Sequence, residues 1–263
     1  SDLIKYSPHE QKKNVIICCT TMPGYCDKLH NKLKPHGYSV SYNPEFIAQG
    51  SVIEDLANPD IVLIGESNNL VGNKIEDIYL KIVKNQPSFH RMSRKESEIT
   101  KIALNCFLTT KIAYANMVGD LAISTDCNPE IILRAIGADS RIGKKYISYG
   151  YGFGGPCLPR DNKAFSKFAG DQNIYSIISE ASDKANDLHL DFQLEQLKKI
   201  KDKNEKIIFK DVAYKIGTTI IEESQKLKLA ILLAQSGYKI VIKDHPEIIS
   251  QIKKIYGELF EYI

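Results

Sequence analysis

A lone cysteine, Cys157, stands in a stretch rich in glycine and proline, GYGFGGPCLPRD at residues 150–161. Its glycines fit the G-x-G-x-x-G spacing of a dinucleotide-binding loop, but such a loop needs a helix that opens at the last glycine. Here two prolines follow within four residues, and they predict that no helix starts before about residue 161. We therefore expect the glycines to let the backbone approach a ligand closely while they present Cys157.

Both ends of this motif have a structural alternative. Cys157 is equally explained as a small buried thiol that packs like an apolar side chain. Asp161 is equally explained as the N-cap of a helix through NKAFSKF. Local sequence alone leaves these alternatives open.

Three polar residues are spaced to share one face of a long predicted helix through residues 99–123. Glu98, Lys101 and Asn105 lie at positions i, i+3 and i+7. Lysine on a helix is usually solvated, and the asparagine is equally explained as a hydrogen-bonded core amide. A further candidate, Glu45, follows Asn43 and Pro44, and this order also fits a helix start with an asparagine cap and a first-turn proline.

The elements that must position these residues fall into three segments. From residue 14 to about residue 66, the apolar runs NVIICCT, YSVSY and DIVLIGE read as strands, with a helix at LHNKLKPHG, which predicts a parallel sheet covered by helices. From about residue 93 to residue 200 the pattern is helical. From about residue 205 the chain reads as strand, helix and strand, and Gly237 ends that helix.

Composition excludes several classes of function. The chain has 263 residues with a formal net charge of +3, and the charge forms no block that predicts a nucleic-acid partner. Its six cysteines form no C-x-x-C pair and its six histidines no H-E-x-x-H motif, so no metal site is expected. Apolar runs stay far below the roughly 18 residues of a membrane span, so we expect a cytoplasmic protein with free thiols.

Five motifs, in order, resemble the nucleotide-sugar dehydrogenases. Residues 152–161, GFGGPCLPRD, resemble the family pattern G-F-G-G-S-C-F-P-K-D. The other four matches are CTTMPG at 19–24, NPEFIAQGSVIEDLANPDIVLIG at 43–65, ESEITKIALNCFLTTKIAYANMVGDLA at 96–122 and RAIGADSRIG at 134–143, with a weaker likeness in AYKIGTTIIEES at 213–224. The resemblance covers nearly the whole chain.

The resemblance implies a four-electron oxidation of a sugar C6 alcohol to a carboxylate with NAD. It assigns Cys157 as the nucleophile that forms a thiohemiacetal and then a thioester. Lys101 and Asn105 would stabilise negative charge on the C6 oxygen. Asp161, with a water held near Thr20, would be the general base.

The resemblance also implies binding residues. Glu45 would assist thioester hydrolysis and contact the sugar, and Thr20 and Gln49 would contact NAD. The remaining contacts with the nucleotide-sugar substrate fall on Phe46, Ile47, Tyr146, Phe153, Gly154 and Lys215.

The chain also departs from the family pattern. Family members begin with a strand and a G-x-G-x-x-G loop, whereas this sequence opens at SDLIKYSPHEQKKN, and it ends within twenty residues of Asp244. Glu222 stands where the family has an arginine, and Pro156 replaces a small residue. Three explanations follow: part of a longer enzyme, a reduced relative that acts as a nucleotide-sugar-binding or structural dimer module, or a dehydrogenase of GDP-mannose or a UDP-aminosugar. The ADSRIG segment favours UDP-glucose.

The expected architecture is α/β and has three parts. Residues 1–88 would be the remainder of a dinucleotide-binding domain with a partial doubly wound parallel sheet. Residues 89–203 would be a central all-helical domain whose long helix forms a homodimer. Residues 204–263 would be a truncated Rossmann-like domain that binds the nucleotide sugar.

Overall fold

The computed structural model describes residues 13–47 and 50–263, and its contacts divide the chain into two compact units, one up to Leu104 and one from Asn105. The strands are β1 Lys13–Ile17, β2 Tyr38–Tyr42, β3 Ile61–Gly65, β4 Ser88–Met92, β5 Lys206–Lys210, β6 Lys239–Lys243 and β7 Glu261–Tyr262. The helices are α1 Tyr25–Leu33, α2 Val52–Ala57, α3 Asn69–Ile82, α4 Arg94–Ser124, α5 Pro129–Ala138, α6 Leu158–Asp171, α7 Ile177–Ile200, α8 Gln225–Gln235 and α9 Pro246–Tyr256. The predicted α/β class is confirmed, and the three-domain division stays a prediction.

The sheet of the N-terminal unit has the order β1-β2-β3-β4. β1 pairs with β2 and β3 with β4 in parallel, as alternation of strands and helices predicts. The predicted parallel sheet is confirmed, and β2 and β3 are joined by a single antiparallel residue pair, Tyr42 and Gly65. Buried side chains such as Val40, Tyr42 and Ile64 form the core on this sheet.

The first turns of α4 belong to the N-terminal unit and are tied to it by charged side chains. The carboxylate of Glu98 is fully buried and accepts hydrogen bonds from the Thr21 hydroxyl at 3.0 Å, the Gly24 amide at 2.6 Å and the Cys26 amide at 2.8 Å. The two amides open α1, where a helix leaves backbone donors without partners of its own. Glu98 therefore satisfies the start of α1 from another helix.

In the C-terminal unit, α6 begins at Leu158, earlier than the prolines predicted. Pro159 lies in the first turn, where its missing amide hydrogen is not needed for a helical bond, so proline is tolerated there. The prediction that the helix starts only at about Asp161 was therefore wrong. α6 packs against α7 in this unit.

The predicted strand, helix and strand near the C-terminus are confirmed as β5, α8 and β6. The strands β5 and β6 pair in parallel. Two further elements, α9 and β7, were not predicted from the sequence, and β7 extends the parallel sheet beside β6. The core of this part consists of buried side chains from its strands and helices, including Phe209 of β5, Leu233 of α8 and Ile252 of α9.

Within the described residues, we find no helix that is both long and apolar enough to cross a lipid bilayer.

The buried carboxylate of Glu98 gives a first prediction. The substitution Glu98→Gln leaves an amide group facing the donors of Thr21, Gly24 and Cys26, so at least one buried donor loses its acceptor. We expect a loss of about 2–3 kcal/mol in the free energy of unfolding. Urea unfolding followed by circular dichroism measures this loss.

The matched control is Asp77→Asn, a carboxylate-to-amide change on an exposed residue of α3 in the same unit. It should change the free energy of unfolding by no more than about 0.5 kcal/mol. Equal unfolding midpoints for Glu98→Gln and Asp77→Asn would show that Glu98 does not hold this turn.

Candidate functional site

In the N-terminal unit, two predicted site residues follow the ends of neighbouring parallel strands. Thr20 lies after β1 and Glu45 after β2, and the Glu45 amide donates to the Cys18 carbonyl at 3.3 Å. Residues 43–47 are not helical, so the alternative that Glu45 serves a helix start was wrong. The Asn43 side chain instead donates to the Leu63 carbonyl at 2.8 Å, which fixes the loop to β3.

Lys101 of α4 lies on the same loop. Its Nζ donates to the Glu45 carbonyl at 2.7 Å and lies 4.1 Å from the centroid of the Phe46 ring. Only 8% of Lys101 is exposed, so the alternative of a solvated lysine was wrong. The structure thus brings Lys101, Glu45 and Phe46 together, with the side chains of Glu45 and Ile47 exposed. Gln49, predicted to contact NAD, lies outside the described residues.

In the C-terminal unit, Asn105 and Asp161 form a direct pair. The Asn105 side-chain amide donates to Asp161 Oδ2 at 2.7 Å, and Arg160 lies 2.9 Å from Asp161 Oδ1. Asp161 is 1% exposed, so these two partners supply the hydrogen bonds that a buried carboxylate needs. Asp161 lies in the first turn of α6 rather than at its N-cap, so the N-cap alternative was wrong.

Cys157 occupies the N-cap position of α6 and is exposed. Its carbonyl accepts the Asp161 amide at 2.8 Å, so the thiol and the carboxylate belong to consecutive turns of one helix start. The alternative of a small buried thiol fits Cys106 instead, where burial raises the thiol pKa to about 12. A negative charge on Cys157 would lie at the positive end of the α6 dipole.

The glycines before Cys157 are explained by close packing. A side chain at Gly152 would collide with the Asn186 amide, and Gly155 has a φ of +78° and lies against the Tyr214 ring. Gly154 lies against the backbone carbonyl of Glu223. These glycines therefore allow close approach to protein groups, where the sequence had suggested a ligand.

The other predicted contacts of this unit lie around the same loop and on a turn after β5. Phe153 is 3% exposed, and Tyr146 is 47% exposed with a φ of +65°, an uncommon conformation for a non-glycine residue. Lys215 is exposed in a turn that the Tyr214 amide closes by donating to the Ile220 carbonyl at 2.9 Å.

The side chains that hold the loop before Cys157 were not predicted from the sequence. Asn186, His189 and Gln193 of α7 bind its backbone, and Asn116 of α4 does the same. The signal was available, because residues 186, 189 and 193 are spaced i, i+3 and i+7 and therefore share one helix face.

Comparison with known proteins agrees with the motifs. Residues 3–83 match the family model for the NAD binding domain of the UDP-glucose/GDP-mannose dehydrogenase family, and residues 95–188 match the model for its central domain. The UDP-glucose 6-dehydrogenase of Rickettsia typhi is 31% identical over 235 residues, which are 87% of this chain and 54% of that protein. The Pseudomonas aeruginosa enzyme of the same name is 31% identical over 219 residues, 82% of this chain and 48% of that protein.

A solved structure of a UDP-glucose dehydrogenase from the archaeon Pyrobaculum islandicum is similar, with a TM-score of 0.87 and 28% identity over 96% of this chain and 60% of that one. The chain spans about half the length of the curated relatives it matches. Together the two family models match residues on both sides of the unit boundary, and the chain belongs to the UDP-glucose/GDP-mannose dehydrogenase family.

Proposed function

We propose that this chain carries the catalytic residues of an NAD-dependent dehydrogenase that oxidises the C6 alcohol of UDP-glucose to the carboxylate of UDP-glucuronate. One observation carries the proposal: an exposed Cys157 at the start of α6 is followed one turn later by the buried Asp161, which is paired with Asn105. A nucleophile beside a carboxylate and an amide donor is the set that aldehyde oxidation through a thioester requires.

Cys157 supplies the covalent step. Its sulfur adds to the C6 aldehyde that the first oxidation produces, forming a carbon–sulfur bond while the carbonyl oxygen takes up a proton. The second oxidation converts this thiohemiacetal into a thioester. Water then adds to the thioester carbon, the carbon–sulfur bond breaks, and the products are the carboxylate and the Cys157 thiol.

Asn105 is suited to stabilise the C6 oxygen without leaving Asp161. A primary amide has two N–H donors, and one of them binds Asp161 Oδ2 in the structure. The second donor serves the substrate oxygen. Lys101 supplies a positive charge to the same oxygen, and the Glu45 carbonyl and the Phe46 ring hold its ammonium group.

Asp161 acts as the general base. Arg160 contacts Asp161 Oδ1 through Nε at 3.0 Å and through a terminal guanidinium nitrogen at 2.9 Å, and Asn105 occupies one acceptor position on Oδ2. A carboxylate has about four acceptor positions, so Oδ2 keeps room to accept a proton. Glu45, whose side chain is exposed, assists attack of water on the thioester.

The residues present fit one edge of an NAD site. Thr20 and Glu45 follow the carboxyl ends of the parallel strands β1 and β2, and nucleotide cofactors bind at such ends in α/β sheets. Thr20 would hold the cofactor at this edge, and the resemblance to the family assigns a further contact to Gln49, which lies outside the described residues. When bound, NAD supplies the hydride acceptor for both oxidations.

The resemblance to the family assigns contacts with the sugar and its diphosphate to Phe46, Ile47, Tyr146, Phe153, Gly154 and Lys215. The names of the curated relatives from Rickettsia typhi and Pseudomonas aeruginosa favour UDP-glucose. GDP-mannose and UDP-aminosugars stay the alternatives for the substrate, and a non-catalytic nucleotide-sugar-binding module is the alternative for the function.

The thioester mechanism predicts the outcome of Cys157→Ser. Because serine is a much weaker nucleophile than a thiolate, acid formation from UDP-glucose should fall by at least about 100-fold. UDP-glucose binding, measured by isothermal titration calorimetry, should change less than about threefold, because the replacement alters a single atom. Absorbance at the NADH band and chromatography of UDP-glucuronate follow the reaction.

The matched control is Cys127→Ser, which replaces another exposed thiol of the same unit. Two NADH per sugar from the unsubstituted chain and from Cys127→Ser support the dehydrogenase. UDP-glucose binding without NADH supports the binding module instead. Undiminished acid formation by Cys157→Ser would exclude the covalent mechanism, and a folded chain that binds no UDP-glucose would exclude this substrate.

We also propose a homodimer through the C-terminal part of α4. Four apolar side chains on this part are 49–65% exposed and are spaced 7, 3 and 4 residues apart, so they share one helix face: Phe107, Tyr114, Met117 and Leu121. Large exposed apolar faces of this kind mark interaction sites. The resemblance to the family supplies a second copy of the chain as the partner.

The dimer predicts that Leu121→Glu weakens self-association, because the new carboxylate would be buried without a partner. Sedimentation velocity should give a dissociation constant at least about tenfold higher than that of the unsubstituted chain. Leu70→Glu, at a residue of α3 that is 75% exposed, is the control and should leave the dissociation constant unchanged. A monomeric unsubstituted chain at micromolar concentration would contradict the proposal.

A further inference from the structure

The loop before Cys157 has its backbone bound by side chains of two helices. The Gly150 amide donates to Asn116 Oδ1 at 3.1 Å, and Asn116 Nδ2 donates to the Tyr151 carbonyl at 3.3 Å. Asn186 binds both backbone groups of one residue, Phe153, accepting from its amide at 2.8 Å and donating to its carbonyl at 3.1 Å. We call residues 149–156 the glycine loop.

His189 adds a third anchor from α7. Its Nε2 lies 2.7 Å from the Gly150 carbonyl, and its Nδ1 lies 2.9 Å from both carboxylate oxygens of Asp120 on α4. Gln193 donates to the same carbonyl at 3.1 Å. Only 3% of His189 is exposed, so water does not replace these contacts.

The two ring nitrogens of His189 have different partners. A carbonyl oxygen only accepts, so Nε2 must donate to Gly150. Nδ1 lies against the Asp120 carboxylate on the other side of the ring, so His189 links α4 to the glycine loop.

Tyr149, the first residue of the glycine loop, joins the same cluster. Its hydroxyl donates to Asp120 Oδ1 at 2.9 Å, and its ring meets the His189 ring edge-on with centroids 5.5 Å apart. Burial and the adjacent carboxylate raise the pKa of Tyr149, so the phenol keeps its proton and stays a donor. Asp120 thus receives hydrogen bonds from α7 and from the loop.

We propose that His189 is a positioning residue for the glycine loop and, through it, for the Cys157 thiol. The inference rests on the proposed role of Cys157 as the nucleophile. His189 touches neither the thiol nor a reacting atom. It fixes the Gly150 carbonyl, seven residues before Cys157. Loss of this anchor should release the loop while α4 and α7 stay folded.

Hydrogen exchange on the ligand-free chain tests the anchor directly. In His189→Ala the amides of residues 150–155 and of Cys157 should exchange at least about tenfold faster, since two buried hydrogen bonds are lost. Alkylation of Cys157 by iodoacetamide should speed up by a similar factor, because the opened loop presents the thiol in more orientations. Alkylation of Cys127 in the same sample is the internal control.

Two amide substitutions separate positioning from mere packing. His189→Gln places an N–H near the position of Nε2 and can still donate to Gly150, whereas His189→Asn places its polar atoms near Nδ1 and reaches only Asp120. We expect His189→Gln to restore exchange and alkylation to within about threefold of the unsubstituted chain, and His189→Asn to resemble His189→Ala. His90→Gln, at an exposed histidine of β4, should have no effect.

Equal behaviour of His189→Gln and His189→Asn would overturn the proposal, as would faster exchange spread evenly over α4 and α7. These measurements need neither NAD nor a sugar. A chain that binds no UDP-glucose but shows the expected exchange pattern would remove the proposed function and keep His189 as the loop anchor. Normal UDP-glucose oxidation by His189→Ala with a loosened loop would remove the positioning role.

Discussion

The N-terminal unit depends on three hydrogen bonds that converge on one buried carboxylate, that of Glu98. They satisfy donors in the turn between β1 and α1, and Thr20 belongs to this turn. Because Lys101 lies one helical turn after Glu98, the same segment of α4 also places an ammonium group on the loop after β2. The start of α4 therefore fixes the loops that follow β1 and β2. The positions of the candidate residues Thr20 and Glu45 on these loops depend on it.

The C-terminal unit follows the same physical rule with other side chains. Buried backbone groups need hydrogen-bond partners, and a loop without regular structure must find them elsewhere. Here Asn116, Asn186 and His189 are each at most 6% exposed and bind backbone groups of the glycine loop. Burying a polar side chain between helices costs free energy unless the side chain is hydrogen-bonded. The buried polar residues on α4 and α7 therefore serve to hold the glycine loop.

Sequence patterns predicted the parts of the fold that depend on local periodicity. The apolar runs at β1, β2, β3, β5 and β6 and the long helix α4 were found, and the types and order of the candidate catalytic residues were recognisable. The start of α6 was misplaced, because first-turn proline is tolerated, and the two-residue β7 depends on pairing with β6. Contacts such as Asn105 with Asp161 join residues 56 positions apart, which periodicity cannot indicate.

The glycine loop and Cys157 cannot be moved into another protein as one continuous segment. Residues 149–157 contain the glycines and the cysteine, but their backbone partners lie on α4 and α7, at separations of 33 to 43 residues along the chain. As an isolated peptide or a graft, the segment would expose those backbone groups to water and sample many shapes. The smallest transferable module is therefore discontinuous: the loop, the first turn of α6 and one face from each of two helices.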